Sequence, residues 1–290
     1  MIDFNWISPV EEYDSVYYKR DDLFSPFDNG INGGKVRQAL SLISNNLKLI
    51  QEKYNNTVIT TTNIDSPQGV IIATICNHFN IKCIVGYGTK RTPDQLIENN
   101  HLAKKIDDVN GEVRIIAKVG YTSVLNKALT DIIKEKNYFL IKFGINSNSN
   151  QDSIFGVIEQ QVINMPKDLD MLVIPVGSGL IFSGILRGIL KYNNIPKRIV
   201  GVLSGMDSKD DIHKYLTSYN VSEKGNNSLF SDVLEYELIK SDLEYHKKKY
   251  IDKPFEIDPI YESKSLLWLN EQNITDKLVM MWIVGNQRKI

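Results

Sequence analysis

The sequence predicts an α/β protein of two lobes, each an open, mostly parallel sheet flanked by helices. Three observations predict it. Short apolar, β-branched runs alternate with helical patterns through the middle of the chain. A second strand–turn–helix unit, "DMLVIPVGSGLIFSGILRGILKY", follows a polar interruption. The 290 residues are 42% hydrophobic and 24% charged, enough for one large unit or two lobes with a substantial core.

The elements follow in chain order. "TVITTT" (Thr57–Thr62) reads as a strand and "GVIIATICNHF" (Gly69–Phe79) as the helix after it. "KCIVGYG" (Lys82–Gly88) is the next strand. "TPDQLIENNHLAKKID" (Thr92–Asp107) reads as one helix with Thr92 as N-cap and Pro93 at its first position. "EVRIIA", "TSVLNKALTDIIKEK" and "YFLIKF" continue the series as strand, helix and strand. The polar "GINSNSNQDS" breaks the pattern, and "IFGVIEQQVINM" resumes it as a helix. "RIVGVLS" is a further strand, and "DKLVMMWIVG" a buried strand running into a loop. From Gly205 to Pro254 the pattern is weak and polar, and it reads as partly irregular. One lobe is expected to hold residues 1–45 and 151–290, the larger cofactor domain. The other is a smaller α/β domain of residues 46–150.

Charge and composition exclude several classes. A net charge of −1 offers no general attraction to nucleic acid or an anionic membrane. No apolar run approaches a membrane span, and the acidic N-terminus lacks a signal-peptide hydrophobic region. Two cysteines make no disulfide framework, so a reduced, cytoplasmic setting is expected. Cys76, in an apolar helical neighbourhood, reads as core. His78, His101, His213 and His246 show no metal spacing, so no metal is expected, and the first two read as helix-surface residues. Lys247-Lys248-Lys249 reads as a solvated helix face.

Four stretches could carry chemistry. In "KRDDLFSPFDNGINGGKVRQAL", Lys35 follows two glycines, where backbone comes close to a ligand or where a loop simply enters a helix. In "VIPVGSGLIFSGIL", a strand feeds Gly177-Ser178-Gly179 and then a helix, whose N–H groups suit an anion. The stretch fits neither the GxGxxG dinucleotide pattern nor a P-loop. A phosphate monoester cradle fits it, as does a plain tight turn. In "TTTNIDSPQGVIIA", Ser66 and Gln68 stand where a strand ends and a helix opens, the usual ligand edge of a parallel sheet. The same letters describe an N-cap by Asp65 or Ser66 with Pro67 at the first position. In "IDPIYESKSLLWL", Tyr261 and Glu262 open an apolar helix, which is also how an ordinary capped helix with an exposed Tyr and Glu begins.

A lysine in a glycine-rich turn, a hydroxyl at a strand end, a phosphate turn and a late Tyr-Glu pair form an ordered set. That order resembles the fold-type-II, tryptophan-synthase-β-like pyridoxal-phosphate (PLP) enzymes. Within them the chain is similar to the 1-aminocyclopropane-1-carboxylate (ACC) deaminase and D-cysteine desulfhydrase branch. "KRDDL…GGKVR" resembles that branch's KRDDL…GGNKxR, and "DPIYESKSL" its DPVYEGKSM. The resemblance implies a homodimer with a small amino-acid substrate. It implies Lys35 as the lysine that binds the cofactor as a Schiff base, and burial beside the cofactor should lower its pKa. It implies Ser66 near the substrate carboxylate and Cα, with Pro67 and Gln68 on the same loop. Gly177, Ser178, Gly179, Leu180 and Ile181 fall on the phosphate turn. Tyr261 falls beside the substrate, and Glu262 opposite the pyridine nitrogen, where a carboxylate keeps the ring a strong electron sink. Tyr236 is a candidate second active-site tyrosine. The deaminase pattern has Glu where Glu262 stands and Leu where Val284 stands; the desulfhydrase pattern has Thr at both.

The chain also departs from the pattern. Gly34 replaces an Asn before the lysine, and Pro67 replaces an Asn in the substrate loop. Leu180 and Ile181 replace Gly-Thr, and Asn286 replaces a glycine. The expected activity is a lyase or deaminase that releases ammonia and a 2-oxo acid. The alternatives are a β-replacement synthase or lyase on an unusual amino acid or conjugate, and a phosphate-ligand-binding homologue without turnover.

Overall fold

The computed structural model describes residues 2–145, 151–204, 208–224, 234–244 and 247–290. Two compact units emerge: Met1–Gly34 with Phe155–Lys289, and Lys35–Ile154 with Ile290.

The chain opens with an antiparallel hairpin of β1 (Val10–Tyr13) and β2 (Val16–Arg20). Sequence periodicity had not marked either strand. Asp14 and Ser15 both take positive φ (49° and 63°), the two-residue turn that matches strand twist. A 3₁₀ turn, Asp21–Leu23, follows, and helix α1 (Gly34–Asn45) begins after a glycine-rich loop.

The middle unit alternates regularly. It runs α2 (Leu47–Lys53), β3 (Thr57–Thr61), α3 (Gln68–His78), β4 (Lys82–Gly88), α4 (Pro93–Asn99), α5 (His101–Asp108), β5 (Glu112–Ala117), α6 (Thr122–Glu135) and β6 (Phe139–Ile141). Its strands are all parallel, in the order β5-β4-β3-β6. The residues expected as one helix after Thr92 form two. Asn100 is extended (φ −137°, ψ 115°) and its side chain accepts the Ala103 N–H, so it ends α4 and caps α5. Thr92 does cap α4, in a reciprocal box with Gln95 and with Pro93 at the first position. Cys76 and Cys83 are free and buried, and His78 and His101 are exposed.

The other unit resumes with α7 (Gln151–Glu159), a 3₁₀ turn (Gln160–Val162), β7 (Met171–Val176), α8 (Leu180–Lys191), β8 (Ile199–Leu203) and α9 (Lys209–Leu216). It ends with β9 (Val221–Glu223), β10 (Leu234–Lys240), α10 (Glu262–Asn270) and β11 (Val279–Ile283). Among the described residues its sheet has seven strands, ordered β1-β2-β11-β7-β8-β10-β9 and parallel except for β1. The segment expected to be partly irregular contains α9, β9 and β10, and β10 pairs with β8 as a sheet strand. Its alternating Leu-Glu-Tyr-Glu-Leu-Ile-Lys letters are too polar for a continuous apolar run. His246 and parts of that segment lie outside the described residues. Lys247, Lys248 and Lys249 are exposed, as a solvated face would be, but they are not in a helix.

All five residues of β11 are buried, as a parallel strand covered on both faces requires. Packing around it explains the Lys19–Leu23 motif. Lys19 is fully buried, donates to the Ser8 carbonyl (2.6 Å) and Asn164 Oδ1 (2.5 Å), and lies 5.7 Å from the Trp282 ring. Arg20 grips both Asp22 oxygens (2.8 and 2.9 Å) over the Phe255 ring. Asp21 accepts from the Ser8 hydroxyl (2.6 Å) and the Trp282 indole (2.9 Å). Buried charges are tolerated when partnered in this way, so the motif is a structural brace. Among the described residues no helix is long and apolar enough to cross a membrane.

Candidate active site

In the seven-stranded unit the carboxyl ends of β7, β8 and β11 carry the Gly177 turn, Ser204 and Val284 side by side. Parallel sheets bind ligands at this edge. Gly177 allows a close approach: a Cβ there would stand 3.1 Å from the Tyr261 ring. Gly179 has φ +81°, and a Cβ on it would meet Ile212 at 2.6 Å. Only glycine fits such a position. Gly179 is also the N-cap of α8 and contributes no side-chain cap. The first-turn N–H groups of α8 are therefore left for an anion, at the positive end of the helix dipole. Ser178 is half-buried, Leu180 is buried as the first residue of α8, and Ile181 is half-buried beside it. With no hydroxyl at 180 or 181, the turn presents backbone N–H groups and Ser178.

The loop before α10 is tied by one carboxylate. Asp258 Oδ1 accepts the Ile260 and Tyr261 N–H groups (2.8 Å each), and Oδ2 accepts the Gln287 N–H (3.0 Å). Tyr261 is half-buried with its ring over Gly177. Glu262 is not the exposed acid of an ordinary helix start; it is 1% exposed. Its Oε1 accepts the Val284 N–H (2.9 Å) and the Gly285 N–H (3.1 Å). Burial, and then the nearby Asp258 charge, push its pKa well above the carboxylate range, against those backbone donors.

The backbone of Val284 is a link that the family pattern, which marks only its side chain, did not reveal. Its N–H binds Glu262, while its carbonyl accepts the Gly34 N–H at 2.8 Å. One residue therefore connects the buried carboxyl to the residue preceding Lys35. Gly33 makes this possible: with φ +89°, a Cβ would lie 2.3 Å from the Val284 carbonyl oxygen. The glycines before Lys35 thus serve contact between two backbone segments. Asn32 and Asn286 lock the same junction: Asn32 Nδ2 donates to the Asn286 carbonyl (2.8 Å), and the Asn286 N–H to Asn32 Oδ1 (2.7 Å). Asn286 also donates from Nδ2 to the Glu256 carbonyl (3.0 Å), a bond a glycine could not make.

Two departures are neighbours. A Cβ on Gly34 would stand 3.4 Å from Ile181 Cδ1 and 3.6 Å from Asp21 Oδ2. A methyl group there would make ordinary van der Waals contact. Tyr236 is buried on β10, its ring edge-on to Phe182 of α8 (5.4 Å). Burial, followed by the Glu223 charge, pushes its pKa up to about 12.

The middle unit holds Lys35, Ser66, Pro67 and Gln68. Lys35 is the half-buried second residue of α1. Ser66 is buried, and its hydroxyl lies 3.4 Å from the Gln68 N–H. Pro67, not Asp65 or Ser66, is the N-cap residue of α3. Gln68 is fully buried and its amide is committed: Nε2 donates to Thr60 Oγ1 (3.1 Å), the Thr61 carbonyl (3.3 Å) and the Lys142 carbonyl (3.1 Å), and Oε1 accepts the Gly144 N–H (2.8 Å). It braces the loop rather than offering its amide to a ligand.

An uncapped anion turn, a tyrosine laid across it and a buried acid suit a phosphorylated cofactor such as PLP. The family model "Pyridoxal-phosphate dependent enzyme" matches residues 2–230, and the chain belongs to that family. Its cofactor is pyridoxal 5′-phosphate, and its fold is the two-sheet α/β fold described above.

Two curated relatives are similar. An O-seryl-dTMP PLP-dependent decarboxylase of Salmonella phage ViI is 26% identical over 200 residues, 64% of this chain and 46% of that protein. The mitochondrial bifunctional D-cysteine desulfhydrase/ACC deaminase of Arabidopsis thaliana is 26% identical over 284 residues, 86% of this chain and 65% of that protein. The chain thus spans less than two thirds of either relative. Among solved structures, an ACC deaminase homologue superposes with a TM-score of 0.71 at 18% identity, covering 97% of this chain and 89% of the other. At that identity the likeness speaks for the fold.

Proposed function

We propose that this chain is a PLP-dependent lyase or deaminase of a small amino acid, releasing ammonia and a 2-oxo acid. Glu262 carries the reading: a buried carboxyl whose pKa burial raises, fixed by two backbone N–H groups and following Tyr261 directly. A binding protein without turnover has no use for an acid buried and anchored in this way beside Tyr261. When bound, PLP supplies an electron sink for the substrate Cα. Lys35 Nζ would hold the cofactor and move a proton at Cα. The N–H groups heading α8, with the Ser178 hydroxyl, would bind phosphate through the backbone of Leu180 and Ile181. Glu262 would share its proton with the ring nitrogen. Tyr261 Oη would move a second proton or attack at carbon. Ser66 Oγ would receive the substrate carboxylate, Pro67 would shape that loop, and the Val284 side chain would wall the substrate. Tyr236, which keeps its proton up to about pH 12, would support α8 through Phe182.

The test is spectral, then chemical. Protein loaded with PLP should absorb at about 410–420 nm, and Lys35→Ala should lack the band. ACC, D-cysteine and D-serine should be assayed for 2-oxo acid, with release lost by at least about 100-fold in Lys35→Ala. A protein that cannot be loaded would sink the enzyme reading.

A second reading has its own support. Gly34 and Ile181 together make an apolar corner where the ACC deaminase pattern is polar, and Pro67 removes a donor from the substrate loop. The phage relative is named for an amino-acid–nucleotide conjugate. A synthase or lyase on such a conjugate accounts for both. A spectral change without 2-oxo acid from the simple amino acids, joined to turnover of a seryl conjugate, would select it.

A further inference from the structure

The seven-stranded unit holds a cavity that the chemistry above does not use. It has a volume of about 350 Å³, at the small end of the range for bound metabolites. Lys209, Asp210, His213 and Leu216 line it from α9, Val221 and Glu223 from β9, and Tyr236 from β10. Lys209 and His213 stand four residues apart, on one face of the helix. Glu223 and Tyr236 are register partners in neighbouring parallel strands, so their side chains share a face.

The charges facing this cavity are of both signs. Lys209 Nζ and Glu223 Oε1 form an ion pair 2.8 Å apart, and neither group is fully buried. Such a pair contributes little and is readily exchanged for other partners of matching charge. Tyr236 is 6% exposed, and among the described residues no group hydrogen-bonds its hydroxyl. Burial, and then the Glu223 charge, keep the proton on that hydroxyl. An anion entering here would leave Glu223 without its partner, and a cation would leave Lys209 without its own. A zwitterion replaces both at once. Its carboxylate would take Lys209 and His213, and its ammonium would take Glu223 and the Tyr236 oxygen. Leu216 and Val221 would meet an apolar side chain.

The helix that lines the cavity also bears on the cofactor turn. Ser208, the N-cap residue of α9, donates from its hydroxyl to the Gly177 carbonyl. Ile212 of α9 is fully buried and packs where a Cβ on Gly179 would stand. A shift of α9 is therefore felt at the head of α8.

We propose that this cavity binds a free α-amino acid with a small apolar side chain, and that α9 passes its occupancy to the Gly177–Gly179 turn through Ser208 and Ile212.

L-Valine is the probe. Titration calorimetry should show saturable L-valine binding to wild type and also to Lys35→Ala, which lacks the amine expected to hold the cofactor. Isovalerate, which has no ammonium, and isobutylamine, which has no carboxylate, should each bind at least about 10-fold more weakly. Glu223→Gln and Lys209→Met should weaken L-valine by a similar factor. Thr217→Trp, which fills the cavity from an exposed position, should abolish binding. If either charge variant fails to fold, Thr217→Trp carries the comparison. Saturating L-valine should shift PLP affinity, followed by absorbance, by at least about 3-fold in wild type and leave it unchanged in Thr217→Trp. No saturable binding below about 10 mM, equal binding of isovalerate or isobutylamine, unchanged binding in the cavity variants, or loss of binding in Lys35→Ala would overturn the site. An unchanged PLP affinity with L-valine bound would overturn the coupling. Binding to Lys35→Ala needs no turnover, so failure here is distinct from failure of the proposed reaction.

Discussion

The two units secure their candidate site residues in opposite ways. In the middle unit, one side chain organises the loop: Gln68 reaches across from the start of α3 to Thr60, Thr61, Lys142 and Gly144. In the seven-stranded unit, backbone meets backbone. Gly34 binds Val284, Val284 binds Glu262, and Gly33 has no room for a side chain. An amide side chain can be exchanged for a similar one at moderate cost. A contact that requires the absence of a side chain has no substitute.

Substitutions test that contrast. The largest loss should come from Gly33→Ala, which combines a φ of +89° with a Cβ 2.3 Å from the Val284 oxygen. Urea denaturation should register about 3 kcal/mol or more. A cost below about 1 kcal/mol would show that this junction can relax, and the contrast would collapse. Gln68→Leu should cost about 2–3 kcal/mol by orphaning buried carbonyls and an N–H. A near-neutral result would mean that water replaces the amide.

Glu262→Gln gives a smaller effect confined by pH. Its folded pKa lies above the ordinary 4.5, so the folded state holds a proton that the unfolded chain releases. Wild-type stability should therefore fall as pH rises from about that ordinary value through the raised one. Gln, which keeps the same acceptor oxygen, should flatten the decline. A Glu262→Gln curve parallel to wild type would remove the case for a protonated acid. The smallest effect belongs to the middle unit's periphery: Thr92→Ala should cost about 1 kcal/mol as α4 loses its cap. Full activity at a reduced Tm would confirm that this cap is remote from chemistry.

The same contrast explains what could be read from the letters. The middle unit's strands and helices follow local alternation, and β4 falls on the residues its pattern indicates. Asn100 misled because its neighbours are good helix formers, and only its extended backbone reveals a cap. The hairpin of β1 and β2 was missed, although Asp14-Ser15 between β-branched and aromatic runs is a usable turn signal. β10 was missed because its alternate residues are charged, and pairing with β8 overrides that weak pattern. Lys35, the Gly177–Gly179 turn and Tyr261-Glu262 stood out as motifs. Asn32 and Asp258 did not, and Val284 did so only through the resemblance, because their hydrogen-bonding roles are ones any sequence pattern leaves silent.

By itself the sequence determined the α/β class, the parallel character of the sheets, the family and the residue types available for chemistry. Those follow from apolar periodicity and from short motifs whose meaning is local. Only the tertiary structure decided that Glu262 is buried with its pKa raised, that Gln68 is a brace, and that Gly34 and Ile181 are neighbours. Each depends on what surrounds a group rather than on the group itself. A carboxyl becomes a weak acid only when water is excluded from it, and residues about 250 positions apart meet only after the sheet has formed.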